Sequence, residues 1–245
     1  MNFRELQESF HQWGLRDPLW AIATVPGKKG NLWDTEAFFH TGTLFIDEVM
    51  DVVDGLRIDL RRQSALDFGC GVGRLTQPLA EHFDHVVGVD IAKSMIELAN
   101  SFNRKESRCR YVLNQLADLS YFDNEMFDFV FSHITLQHME PRYSIVYVRE
   151  FARILAPGGL TLFQIPSERT STDPLLRSHI DSDCPNKLEP DDPPMEIHGV
   201  LRQEVEHILA TNGLVLLDVS ENRSAGPEWV SHRFCAYRPR CFDSM

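Results

Sequence analysis

The sequence has no apolar run approaching the roughly 18 residues that a membrane-spanning helix needs. Its opening, Met1-Asn2-Phe3-Arg4-Glu5-Leu6-Gln7-Glu8, lacks the apolar stretch of a signal peptide. Five cysteines, Cys70, Cys109, Cys184, Cys235 and Cys241, are odd in number and include no CxxC spacing. That usage argues against a disulfide framework and for a reducing, cytoplasmic setting. Ten histidines include no HExxH or comparable spacing, so no metal site is expected. Positive charge is also short, with 24 Lys and Arg against 36 Asp and Glu, a net charge of −12. A phosphate backbone asks for a basic face, so a nucleic-acid partner is not expected. No membrane partner is expected either, and the oligomeric state cannot be read.

What remains is a 245-residue chain, a length that suits one α/β domain with an added segment. Residues 1–60 read as a helical cap. Within it Phe38, Gly42, Phe45, Val49, Val52 and Leu56 recur at alternating spacings of four and three, which predicts one helix from about Asp34 to Leu56. Residues 61–245 read as the main domain. Strands are predicted at Ala65–Phe68, His85–Asp90, Arg110–Leu113, Phe127–Phe131 and Leu160–Ile165. Helices fall between them at Arg74–Phe83, Ala92–Phe102 and Tyr143–Leu155, the last stopped by Ala156-Pro157-Gly158-Gly159. Strands separated by helices predict a parallel, doubly wound sheet. After a helix near Leu201–Ala210, the runs Leu214–Val219 and Trp229–Tyr237 flank a polar turn and are expected to pair antiparallel. The sum is a seven-stranded mixed sheet with its last strand antiparallel.

The segment that carries chemistry is Asp67-Phe68-Gly69-Cys70-Gly71-Val72-Gly73-Arg74. Glycines between a strand end and a helix start remove side chains where a ligand must approach backbone. The second predicted strand ends in Asp90, well placed for a carboxylate that accepts hydrogen bonds from ribose hydroxyls. Loop and acid together imply a nucleoside-bearing cofactor. A dinucleotide loop GxGxxG would need a further glycine where this chain has Arg74 or Thr76. Asp67 inside the loop would sit poorly beside a diphosphate but well beside a cation. Adenosine joined to an amino-acid ammonium, with no phosphate, fits all three observations.

Asp67-x-Gly69-Cys70-Gly71-x-Gly73 resembles the first motif of class I S-adenosylmethionine-dependent methyltransferases. Val89-Asp90-Ile91-Ala92-Lys93-Ser94-Met95, Phe127-Asp128-Phe129-Val130 and Leu155-Ala156-Pro157-Gly158-Gly159 resemble later motifs of that family, in its order. The resemblance spans roughly Ser64 to Ile165 and implies a Rossmann-like fold with S-adenosylmethionine as cofactor. It implies that the loop Gly69-Cys70-Gly71-x-Gly73 borders the methionine part, with Asp67 near the ammonium, Asp90 on the ribose and Ile91 on adenine. Family members often carry an aspartate after the third strand for the adenine amino group. Here that slot falls on Gln115 or Leu116, with Asp118 displaced. Ser132, His133 and Ile134 would come close to the sulfonium.

Methyl transfer is an in-line displacement with an activated leaving group, so a base is needed only if the acceptor must lose a proton. His138 is the leading candidate for base or substrate contact and His133 the second. Either histidine can instead cap or pack the helix that follows. Residues 167–199 read as a flap after the fifth strand, with six acids against Lys187 between Asp181 and Glu196, which disfavours strongly anionic acceptors. Asp192-Pro193-Pro194-Met195 reads as a turn. The expectation is methyl transfer to a small-molecule acceptor, oxygen ahead of nitrogen. A non-catalytic cofactor-binding protein and an NAD(P)-dependent oxidoreductase are the alternatives.

Overall fold

Capping residues set where the N-terminal helices begin in a computed structural model, which describes residues 1–170 and 188–240. Helix α1 (Phe3–Arg16) starts on a capping box in which the Asn2 side chain accepts from the Glu5 N–H and the Glu5 carboxylate accepts from the Asn2 N–H. Helix α2 (Pro18–Ile22) begins on a proline, whose fixed φ suits a first turn. Helix α3 (Thr35–Gly55) is capped by Asp34, whose side chain accepts from the Ala37 N–H. Its buried face is Phe38, Gly42, Ile46, Val49, Met50 and Val53. The expected stripe named Phe45 and Val52 instead. Phe45 is half-buried and Val52 exposed, because a strict 3.5-residue repeat drifts around a helix that turns every 3.6 residues.

The sheet consists of β1 (Ser64–Phe68), β2 (His85–Asp90), β3 (Cys109–Leu113), β4 (Phe127–Ser132), β5 (Leu155–Arg169), β6 (Val215–Asn222) and β7 (Trp229–Tyr237). Their order is β3-β2-β1-β4-β5-β7-β6. The first five pair parallel, and β7 runs antiparallel to both β5 and β6. This is the doubly wound mixed sheet expected from the sequence. Chain direction across the sheet reverses between β1 and β4, and that switch point is where open α/β sheets hold ligands. Strand β4 is buried throughout, and Phe129 stacks on Phe83 at 5.3 Å. Its one acid, Asp128, accepts from the Gln63 and Ser64 N–H groups at 3.0 and 3.1 Å and so pins the start of β1.

Two predicted elements change most. The helix expected over Arg74–Phe83 is a single turn, α4 (Thr76–Leu79). Pro78 has no N–H to donate, and the Leu79 carbonyl closes the segment by taking both the His82 and Phe83 N–H groups at 3.0 Å. Strand β5 begins earlier than expected. Leu155 pairs with Phe127 and Leu160 with Phe129, so the Pro-Gly-Gly stretch bulges out within the strand. Helices α5 (Lys93–Ser101), α6 (Pro141–Ile154) and α7 (Arg202–Thr211) complete the layers.

The N-terminal helices are built against this body. Gly14 of α1 touches Ser94 at the start of α5, and the Ser94 hydroxyl donates to the His11 carbonyl at 2.7 Å. Trp13, Trp20 and Phe38 are fully buried in one cluster with Val72, Ala92 and Met95. Burial of side chains this large contributes about 2–3 kcal/mol each. Among the described residues no helix is long and apolar enough to cross a membrane.

Candidate functional site

The carboxyl ends of β1, β2 and β4 open into a cavity of about 890 Å³, mouth included, covered by Leu6 and Phe10 of α1 and Ala21 and Ile22 of α2. The turn after β1 forms because Gly69, Gly71 and Gly73 take φ of +77°, +53° and +86°, values that favour glycine. A side chain at Gly69 would overlap Thr135, and one at Gly71 would overlap Ile22. The Gly69 and Cys70 N–H groups donate to the Val89 carbonyl at 2.8 and 3.0 Å, which ties the loop to β2.

Two acids line this cavity. Asp67 is buried, and desolvation pushes its pKa up to about 6 although the Thr76 hydroxyl donates to it at 2.6 Å. Asp90 accepts from the Gly71 and Ala92 N–H groups at 2.9 and 2.8 Å. Burial raises its pKa while those backbone bonds oppose the rise. An ionised carboxylate offers about four lone-pair sites, so Asp90 keeps capacity for a ligand's hydroxyls.

The opposite side of the cavity follows β4. His133 lies 4.4 Å from the Phe45 ring, and burial drives its pKa down to about 3, with Arg74 and Arg233 adding to the fall. Ile134 adopts φ +54°, a conformation disfavoured for a β-branched residue. It is held by a buried polar chain. The Ile134 N–H donates to Gln164 Oε1 at 3.1 Å, and Gln164 Nε2 donates to Gln137 Oε1 at 3.2 Å and to the Ser231 hydroxyl. The Gln137 amide nitrogen then faces His138 Nε2 at 3.4 Å. His138 Nδ1 lies 3.0 Å from the Glu196 carbonyl, which only accepts, so Nδ1 carries the proton and Nε2 keeps its lone pair. Burial drives the His138 pKa down to about 4, so the ring is neutral near pH 7.

Of the residues singled out in the sequence, Asp67, Gly69, Cys70, Gly71, Asp90, Ile91, His133 and His138 line the cavity. Four do not. Gly73 packs on Tyr111, and Ser132 is fully buried with its hydroxyl donating to the Phe68 carbonyl at 3.1 Å. Gln115 is exposed and Leu116 is half exposed. The buried side chain after β3 is Asn114, whose amide donates to the Asp118 carbonyl at 2.9 Å and to the Tyr147 hydroxyl at 3.3 Å. Arg74, noted in the sequence only as a missing glycine, is buried and lines the cavity beside His133, as do Ile134 and Thr135. Within the expected flap, residues 171–187, including Asp181, Asp183 and Lys187, lie outside the described residues. Of its described acids, Asp192 is turned to the cap, 2.6 Å from the Lys29 ammonium and 3.3 Å from Arg16.

Residues 66–163 match the family model of the methyltransferase domain. These residues form a domain of the class I, S-adenosylmethionine-dependent methyltransferase family. The methyltransferase domain is similar to a phosphoethanolamine N-methyltransferase of Triticum aestivum, 33% identical over 131 residues, or 52% of this chain and 24% of the relative. It is also similar to a ubiquinone biosynthesis O-methyltransferase of Coxiella burnetii, 30% identical over 109 residues, covering 44% and 45% of the two chains. The chain thus spans a quarter to under half the length of these curated relatives. Among solved structures, magnesium protoporphyrin IX methyltransferase from Synechocystis PCC 6803 with bound SAH superposes with a TM-score of 0.64. That likeness covers 95% of this chain and 98% of the other at 19% identity, so it speaks for the fold.

Proposed function

We propose that this protein transfers a methyl group from S-adenosylmethionine to an oxygen atom of a small-molecule acceptor. The observation that carries the reading is one cavity at the β1/β4 switch point that combines a Cβ-free loop with Asp67 and Asp90. When bound, S-adenosylmethionine supplies a methyl group on an activated sulfonium leaving group. The residues present fit such a molecule. Asp67, once ionised, offers a buried negative charge for an ammonium, and Asp90 offers acceptor sites for ribose hydroxyls. Gly69 and Gly71 leave room for close contact, while Arg74 stands where a dinucleotide loop needs glycine. In this reading residues 1–60 cover the site and residues 61–245 carry it.

The protein's part in the reaction is alignment, exclusion of water and one proton transfer. Leu6, Phe10 and Ile22 close the apolar side of the cavity against solvent. His138 accepts a hydroxyl proton at Nε2, because the Glu196 carbonyl holds Nδ1 as the donor. Its low pKa makes it a weak base, so the proton moves only as the acceptor oxygen forms its new bond. A neutral imidazole whose Nε2 can take a proton suits a hydroxyl acceptor, which must lose one, and on this the reading of oxygen over nitrogen rests.

Ligand binding tests the reading directly. S-adenosylmethionine or S-adenosylhomocysteine is expected to raise the melting temperature, and NAD is not. Stabilisation by NAD alone overturns it. Once an acceptor is in hand, His138→Ala is expected to lower turnover far more than cofactor affinity, and unchanged turnover removes His138 from the mechanism.

A further inference from the structure

His138 is held by a segment remote from it in sequence. Its Nδ1 lies 3.0 Å from the carbonyl of Glu196, 58 residues further on. Beside that contact the His198 N–H donates to the Gln137 carbonyl at 2.7 Å, and the Val200 N–H donates to the Pro166 carbonyl at 2.9 Å. The Glu196 carboxylate is itself held, 2.9 Å from His198 Nε2 and 2.6 Å from the Met1 ammonium. Residues 196–200 thus run beside β5 and the segment that carries His138.

The same stretch is fastened to the cap. Leu188 and Met195 pack on the cluster of Trp13, Trp20 and Phe38. Asp192 meets Lys29 and Arg16, the Ser9 hydroxyl donates to the Pro194 carbonyl, and Arg16 donates to that of Asp191. Helix α1 therefore works on two stripes. Leu6 and Phe10 line the cavity, with the Phe10 ring 5.3 Å from the His138 ring, while Ser9 and Arg16 hold residues 191–194. Residues three and four apart on a helix are neighbours on its surface, so the cover of the cavity and this stretch seat together.

A neutral imidazole carries its proton on either nitrogen, and the bond made by one nitrogen decides which. A carbonyl only accepts, so the Glu196 carbonyl calls for Nδ1–H and leaves Nε2 to take a proton from a hydroxyl. The Gln137 amide nitrogen, 3.4 Å from Nε2, favours the same tautomer. At that distance its hold is weaker than the contact to Glu196.

We propose that Glu196 is a positioning residue and that residues 188–200 form a strap which sets the His138 proton on Nδ1 only while seated on the cap. The inference rests on the reading of His138 as the base and deepens it. A base arranged in this way is competent when α1 covers the cavity and water is excluded. It loses its fixed tautomer when the cover lifts.

The test follows the ring nitrogens of His138 by heteronuclear NMR at about pH 8, where a histidine of ordinary pKa near 6.5 is neutral. It needs neither cofactor nor acceptor, and His138→Gln identifies the resonances by their loss. Hydrogen exchange at the His198 and Val200 amides reports whether the strap is seated. Wild type is expected to show the Nδ1–H tautomer and slow exchange at both amides. The variants are Asp192→Ala, at a residue outside the cavity wall, Glu196→Gln, and the two combined. Each is expected to speed that exchange about tenfold or more and to convert His138 to a mixture of tautomers. Faster exchange with Nδ1–H retained assigns the tautomer to Gln137 and overturns the proposal. So does an Nε2–H tautomer in the wild type. Unchanged exchange in the combined variant shows that the strap does not depend on the cap and overturns it too. Lys29→Met, which loosens the same joint from the cap side, replaces any variant that does not fold. Failure of wild type to bind S-adenosylhomocysteine overturns the cofactor reading, and unchanged turnover of His138→Ala overturns the base. Neither result alters the tautomer measurement.

Discussion

Burial changes the acidity of several groups in the cavity, and for Asp67, His133 and His138 the change has a signed consequence. Asp67 has a pKa near 6, above its ordinary 3.8, because desolvation favours the neutral acid. A cationic cofactor end needs the ionised form. S-adenosylmethionine affinity is therefore expected to rise as pH increases through about 6 and then level off. Asp67→Asn is expected to bind weakly with no such rise, and calorimetric titrations across this range check it. The histidines act on stability. His133 and His138 have pKa values near 3 and 4, below the ordinary 6.5. The unfolded chain takes up protons below about 6.5 that the folded chain refuses until about 4, so stability falls with acidification across that window. Asp67 contributes in the opposite sense, its stabilisation falling as pH rises from about 4 to 6. Two groups outweigh one. Urea unfolding is expected to give lower stability at pH 5 than at pH 7, with the difference shrinking or reversing when both histidines are replaced by glutamine. The sequence marked these three residues by type and position. It left Asn114 and Arg74 unmarked, because only burial separates a working amide or guanidinium from an exposed one.

At the scale of elements, the segment between β4 and α6 is held by a contact from β5. Gln164 lies 30 residues from Ile134, yet its carbonyl oxygen is the partner of the Ile134 N–H in the left-handed turn. Gln164→Leu leaves that N–H and the Gln137 amide oxygen without their partners, an expected loss of about 2–3 kcal/mol. Adding Ile134→Gly relieves a left-handed conformation that costs a β-branched residue about 1–2 kcal/mol, and recovers part of the loss. Denaturation of both single variants and the double variant measures the coupling; simple additivity would separate Gln164 from the turn. Nothing local announced this bond. Strand and helix types were legible because apolar period and glycine punctuation are local signals. The shortening of α4 at Pro78 and the early start of β5 were not, since hydrogen bonds across the sheet decide both.

For the whole molecule, the joint between the cap and residues 188–199 matters most. The Asp192 side chain is 1% exposed and meets Lys29 and Arg16, while Ser9 donates to the Pro194 carbonyl and Arg16 to that of Asp191. Although burial opposes it, the hydrogen bond from the Lys29 ammonium holds the Asp192 pKa below the usual carboxylate range. Lys29 and Arg16 are themselves partly exposed, which limits the strength of the joint. Asp192→Ala is expected to lower stability by about 1–2 kcal/mol, less at high salt. Hydrogen exchange in α1 and in residues 188–199 is expected to speed up together, and unchanged exchange would show that these contacts carry no load.

The sequence by itself determined the class of fold, the order of strands along the chain and the glycine loop with its two acids. These follow from short-range rules: what a backbone turn permits and which residues a buried strand accepts. Tertiary structure alone decided which polar groups share the cavity. It placed Gly73, Ser132, Gln115 and Leu116 outside the wall and brought in Arg74 and Thr135. It also left the Arg74 Nε without a hydrogen-bond partner among the described residues and paired Asp192 with the cap. The physical reason is that compensation of a charge depends on distance in space, and residues remote in sequence set that distance.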